Sequence, residues 1–259
     1  MYRSVTLATL ALFAAAPTLS QTAVPTAQHA AARSYRVLDD IRWSYDEESS
    51  PGRSTNPLRL TRDGMNTSFG SDEARQIMGE HATASLNSPG EAVTFSIVRE
   101  AGTLACSGAV ESPGHAAGRC RFDPDGSFTS AMSARGLPPE DSAMVLSLAL
   151  VDAHVASVDG LVAQGYRFEK ADDLVAVAAL DVTPAYAGEL RDAALKVDDL
   201  DDLVAAKALD VDGEWLREMA RAGYPHLEFE QAIQMRALGV TPDYAKRMSR
   251  VLSALGEIE

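Results

Sequence analysis

Five histidines, His29, His81, His115, His154 and His226, are the side chains best suited to proton transfer or metal binding near neutral pH. They are scattered, and none has a second ligand three or four residues away in a HExxH-like frame, so no single segment builds a zinc site. There is no GxSxG elbow, no P-loop and no Gly-rich dinucleotide turn after a strand. Asp123, Pro124, Asp125, Gly126 and Ser127 begin like a calcium loop, but the glycine falls early and Ala134 stands where a bidentate Glu is required. They read as a turn and helix cap. The carboxylates cluster at Asp39 with Asp40, Glu47 with Glu48, and Asp198, Asp199, Asp201 and Asp202. An acid and base pair needs two carboxylates in different environments across a cleft. A helix start, where negative charge is favoured, accounts for the aspartate cluster more simply. The expectation is that there are no catalytic, cofactor-binding or metal-ligating residues; the rival is a hydrolase whose site assembles only in three dimensions.

Cys106 and Cys120 are the only cysteines, and they flank Pro113 symmetrically. A hairpin turning at Ser112, Pro113 and Gly114 sets them opposite one another, in reach of a cross-strand disulfide. Two reduced core residues are the alternative. A redox pair is disfavoured, because there is no Cys-x-x-Cys spacing to lower a thiol pKa.

The elements that position these residues change in kind along the chain. Arg36 to Tyr45, Leu58 to Phe69, Val93 to Ile97, Leu104 to Val110 and Cys120 to Phe122 carry period-2 apolar alternation, with Gly108 as a gap. They predict an antiparallel sheet or sandwich over 34–124, with a short helix near Asp72 to Met78. Beyond Phe122 the period becomes helical and repeats every 29 residues. Asp172, Asp173, Leu174, Val175 and Ala176 return as Asp201, Asp202, Leu203, Val204 and Ala205; Thr183, Pro184, Ala185 and Tyr186 return as Asp212, Gly213, Glu214 and Trp215, then as Thr241, Pro242, Asp243 and Tyr244. Each copy reads as helix, tight turn and helix. Asp172 and Asp201 are candidate caps of the first helix, and Thr183, Asp212 and Thr241 of the second. Pro184 and Pro242 suit a first helical position, and Gly165 and Gly223 a helix end with positive φ. The predicted fold is α+β: an antiparallel β region capping an array of helix-turn-helix repeats over 125–259, a half repeat at 125–137 and then four copies.

Phe128, Tyr186, Trp215 and Tyr244 occupy one repeat position, with Ser157 in the first full copy. They form a candidate interaction ladder for a peptide or glycan if they face solvent. The alternative is packing between repeats, since Tyr186 with Leu190, Trp215 with Met219 and Tyr244 with Met248 are i, i+4 pairs.

Residues 1–20 read as a secretory signal: Arg3, an apolar stretch from Val5 to Ala16, and small Thr18 and Ser20 before a cut ahead of Gln21. Residues 21–33 read as a linker. No later segment is long and apolar enough to span a bilayer, so a periplasmic or secreted protein without a transmembrane segment after cleavage is expected. The net charge of −14 and pI near 4.8 disfavour nucleic acid and anionic headgroups.

The motifs Val182, Thr183, Pro184, x, Tyr186 and Val240, Thr241, Pro242, x, Tyr244, together with the segment from Ile97 to Phe122, resemble the repeats and preceding strand pair found C-terminal to some proteobacterial BlaR1-type M56 peptidases and in exported proteins. The resemblance covers about residues 90–259. The zinc-binding and transmembrane helices of the peptidase part are absent, so no proteolytic residue carries over, and Cys106 and Cys120 depart from the pattern. It implies an accessory, sensory or scaffolding module. The expected function is therefore a non-catalytic exported protein that needs no cofactor and binds another protein or an envelope component; a small-ligand sensor binding in the β region is an alternative.

Overall fold

A computed structural model describes residues 34–47 and 56–256, with side chains described as far as 251. The expected signal segment and linker lie outside the described residues. The fold is α+β, and Tyr35 to Glu259 form one compact unit.

Six strands, β1 Leu38–Asp46, β2 Leu58–Arg62, β3 Met65–Phe69, β4 Ala92–Arg99, β5 Gly102–Ser112 and β6 His115–Pro124, form one antiparallel sheet in the order β3-β2-β1-β6-β5-β4. Alternation does the work expected of it: Ile41, Trp43, Leu58, Leu60, Val93, Phe95, Leu104, Cys120 and Phe122 are buried on one face. The gap at Gly108 has a physical occupant. Gly108 pairs with Gly118, which pairs with Trp43, and the indole lies across both glycines. A Cβ would fall 2.7 Å from the Trp43 ring at Gly108 and 2.5 Å at Gly118. The Trp43 Nε1–H donates to the Ser107 carbonyl at 3.1 Å, and Phe95 meets the ring edge-on, with centroids 5.2 Å apart.

Helix α1, Ser71–Ser85, links β3 to β4 and is longer than the short helix expected near Asp72 to Met78. Gly79, at φ 76°, breaks it midway, and Ala74, Met78 and Ala82 face the sheet's core.

Strand β6 runs directly into α2, Gly126–Ala134, because Asp125 Oδ1 accepts the Phe128 N–H at 2.8 Å and stops the strand as it starts the helix. Helices α3 Ser142–Leu150, α4 Val155–Val162, α5 Ala171–Ala179, α6 Pro184–Asp192, α7 Leu200–Ala208, α8 Gly213–Arg221, α9 Phe229–Ala237 and α10 Pro242–Gly256 follow. Helix α3 packs on β5 and β6, and the start of β1 is tied to it. The Arg36 N–H donates to Ser142 Oγ at 2.8 Å, and the Tyr35 hydroxyl donates to the Pro139 carbonyl at 2.9 Å.

Thr183 Oγ1, Asp212 Oδ1 and Thr241 Oγ1 each accept the N–H three residues on, at 3.1, 2.7 and 3.2 Å, as their sequence positions predict. Asp172 and Asp201 are not caps. The helices begin two residues earlier, after Lys170 and Asp199, which places both aspartates inside the first turn. There Asp199 Oδ1 accepts the Asp202 N–H, whereas the Lys170 ammonium has no lone pair to offer. Asp173 serves that end instead, its carboxylate accepting the Glu169 and Lys170 N–H groups at 2.7 and 3.1 Å. A carboxylate inside the first turn satisfies the helix dipole as a cap does, so composition alone misplaced the boundary.

The helix ends are built alike. Asp152, Asp181, Asp210 and Gly239 have positive φ after α3, α5, α7 and α9, and Gly136, Gly165, Ala194 and Gly223 after α2, α4, α6 and α8. Within each set the step is 29 residues. The next residue's N–H closes a six-residue ring onto the helix, as in Val182 to Val177, Leu195 to Leu190 and Val211 to Ala206. The side chain of that next residue is buried at Leu137, Ala153, Val182, Leu195 and Val211 and half-buried at Tyr166, Tyr224 and Val240.

Candidate functional site

Three of the four ladder aromatics are core. Phe128, Tyr186 and Trp215 are buried, and only Tyr244, 48% exposed, meets solvent. The Tyr186 hydroxyl donates to the Val211 carbonyl at 2.6 Å, and Trp215 Nε1–H donates to the Val240 carbonyl at 3.3 Å; both bonds run 25 residues forward. A cation lies on each ring, Lys207 Nζ 4.8 Å from the Tyr186 centroid and Arg236 5.3 Å from that of Trp215. Burial, followed by the carboxylates of Asp212 and Glu189, pushes the Tyr186 hydroxyl far above its ordinary value. A solvent-facing ladder is therefore replaced by packed junctions, and the groove it implied is filled by protein.

Cys106 and Cys120 are register partners on β5 and β6 and are joined by a disulfide with an S–S distance of 2.00 Å. Both lie on the buried face, and the bond fastens the strand that feeds α2.

The histidines stay apart: His81 and His226 are exposed, and His115 Nδ1 lies 3.3 Å from Asp46 Oδ1. Among the described histidines His154 alone meets two carboxylates, with Nδ1 3.0 Å from Glu100 Oε2 and Nε2 3.6 Å from Asp152 Oδ1. Glu100 belongs to the β4–β5 turn and also accepts the Val155 N–H, so it caps α4, where His154 has no side-chain oxygen to do so. Arg99 reaches Asp152 at 3.2 Å. These groups bind the sheet to the helices, a pairing of residues 54 apart that no local pattern reveals. Among the described residues no three His, Cys, Asp or Glu side chains are placed to hold a metal ion.

The aspartate cluster divides among separate tasks at the start of α7. Asp198 pairs with Lys196 at 2.6 Å, Asp199 caps the helix, and Asp201 lines an open concavity of about 540 Å³ with Arg167, Lys170 and Asp173. Burial and then the charge of Asp199 hold the Asp202 carboxyl above its ordinary range. A second concavity, of about 440 Å³, lies at the last helices and is apolar, lined by Tyr224, Leu227, Met235 and Leu238.

At α9 and α10 large apolar side chains come to the surface. Leu238 is 81% exposed, and Tyr244, Met248 and Val251 form an exposed stripe at i, i+4 and i+7. Among the described residues no single helix is long and apolar enough to cross a membrane. Compared with protein-family models, with curated proteins and with solved structures, the chain matches none.

Proposed function

We propose that the protein is a non-catalytic exported accessory whose sheet begins an array of 29-residue helix-turn-helix repeats, and that the open last turn of that array receives another protein. One observation carries the repeat reading. Caps at Asp125, His154, Thr183, Asp212 and Thr241, positive φ at two residues per unit, and the aromatic-to-carbonyl bonds of Tyr186 and Trp215 all recur at the same step. Contacts between α2 and α4, α4 and α6, α6 and α8, and α8 and α10 support stacking of each unit on its neighbour. The exposed Leu238, Tyr244, Met248 and Val251 correspond to side chains that such a neighbour covers inside the array, and exposed apolar patches of this kind mark association sites. The likeness to repeats of the membrane peptidases fits an accessory role and belongs to this proposal. A disulfide in a chain with only two cysteines is compatible with an oxidising compartment.

The test is affinity recovery from a solubilised envelope fraction with the chain from Gln21 onward. A Leu238→Asp, Met248→Asp double variant serves as the comparison bait. A protein held by the unaltered chain and released by the variant, at equal thermal stability, supports the reading. Recovery of nothing in repeated trials, or equal recovery by both baits, ends it.

A further inference from the structure

Among the described residues nothing covers the second face of the sheet, and it carries charge opposite to that of the molecule. Helices α1 and α3 pack on one face, and the residues of the other parity are exposed. Register places Asn66, Thr61, Arg42, Arg119, Ser107 and Thr94 side by side across six strands. Arg59, beside Ser44 on β1, and Arg121, beside Ala105 on β5, flank that row. Four guanidinium groups thus share an area of about 10 Å by 14 Å, from the spacing of strands and of alternate residues.

None of Arg42, Arg59, Arg119 and Arg121 has an ion-pair or hydrogen-bond partner among the described residues. Arg42 and Arg119 are direct cross-strand neighbours, an arrangement of like charges that works against the sheet. Asp40, at the edge of this face, is taken by Arg62 at 2.6 Å. Nothing in the fold therefore rewards the cluster.

Two further carboxylates share this parity at the strand ends, Asp123 on β6 and Asp46 beside His115 on β1, and the four arginines outnumber them; most of the negative charge lies elsewhere. Residues 125–241 hold twenty-one Asp and Glu against nine Lys and Arg, a net −12, on helices behind the sheet. Residues 1–33 contain Arg3 and Arg33 and no carboxylate, so they do not neutralise the face. The arginines and the acidic helices thus lie on opposite sides of the sheet.

We propose that this face docks on anionic phospholipid headgroups. Guanidinium groups bind phosphate oxygens in a bidentate manner, and the interspersed Ser, Thr and Asn side chains add donors for the same oxygens. The face spans six strands, an extent that suits an extended surface such as a lipid headgroup layer. Its one large exposed apolar residue is Val98 at the edge strand, so it lacks the apolar centre of an ordinary protein interface. Docking is peripheral and reversible, and the molecule's charge separation orients the helices away from the lipid. It revises the expectation, drawn from net charge, that the surface repels anionic headgroups. The inference does not depend on the repeat reading.

The test is vesicle co-sedimentation of the chain from Gln21 onward, which contains the whole compact unit. Vesicles are phosphatidylcholine alone or phosphatidylcholine with about one-third phosphatidylglycerol. An arginine near an anionic surface is worth about a fivefold gain in partitioning, so the quadruple variant Arg42→Ala, Arg59→Ala, Arg119→Ala, Arg121→Ala is expected to bind anionic vesicles about six-hundredfold more weakly. Added salt weakens the unaltered chain in the same direction. Its thermal midpoint is expected to hold or rise, because opposed like charges are removed. A Lys246→Ala, Arg247→Ala variant on α10 retains full binding. The proposal is overturned by equal binding to neutral and anionic vesicles, by a quadruple variant that binds undiminished, or by loss only in the α10 variant. Arginine-dependent binding to poly-glutamate with none to vesicles, or salt-sensitive self-association without lipid, assigns the face to an acidic polypeptide instead and equally overturns the lipid assignment.

Discussion

Tyr186 condenses the chemistry of the helical half into one side chain. Its ring is buried, its hydroxyl satisfies the Val211 carbonyl, and Lys207 lies on its face. Replacement by Phe leaves that carbonyl unpaired and is expected to cost about 1–3 kcal/mol near neutral pH, measured by urea denaturation. Because the folded hydroxyl ionises far above the ordinary value of about 10, its contribution is complete below that pH and is lost as pH rises beyond it. The Tyr186→Phe variant is therefore expected to show a flatter alkaline limb of stability against pH than the unaltered chain. Ala194 presents the opposite case: it holds φ at 64° where its counterparts are Gly136, Gly165 and Gly223. Ala194→Gly is expected to stabilise by about 0.5–1 kcal/mol, since relief of the left-handed strain exceeds the added entropy of glycine. A lower denaturation midpoint in that variant contradicts this account. Burial of Tyr186 was one of two readings in sequence, and the glycines 29 residues either side of Ala194 marked its position, but the carbonyl that the Tyr186 hydroxyl meets, 25 residues on, was not legible.

Among the elements, the sheet was the more legible in pattern and the less legible in connection. Alternation identified the buried face of each strand from Ile41 to Phe122, because period two is a local property. Nothing local pairs Ile41 with Cys120, so the strand order, and with it the arginine row, came only from the fold. Helix starts were shifted by two residues at Asp172 and Asp201 because aspartate serves equally at the cap and inside the first turn. The paired glycines beneath Trp43 offer a direct test of sheet packing. Gly118→Ala puts a methyl group into the indole and the Ser107 carbonyl, and is expected to destabilise by about 1–3 kcal/mol or more, read from thermal unfolding. The Cys106→Ser, Cys120→Ser pair removes the covalent closure between β5 and β6, at a cost of about 3 kcal/mol for a loop of this length in the chain-entropy account. A loss below 1 kcal/mol there means that strand pairing already supplies the order.

For the molecule as a whole, the contact pattern predicts uneven resistance to opening. Helices α4, α6, α8 and α10 touch one another in succession, while α3 packs on the sheet and β1 is tied to its start through Ser142 and Pro139. Amide hydrogen exchange is expected to be slowest in the sheet and α3 and progressively faster toward α9 and α10. Uniform protection contradicts nearest-neighbour stacking.

The fixed distance between one helix start and its successor has an editing consequence. Removing residues 170–198 joins Glu169 to Asp199, so the incoming carboxylate takes over the cap and every later turn keeps its counterpart. Such a shortened chain is expected to refold with a single cooperative transition in circular dichroism. Excising one residue more removes Asp199 as well, leaves the first turn of α7 without its carboxylate cap, and is expected to cost the shortened chain about 1 kcal/mol.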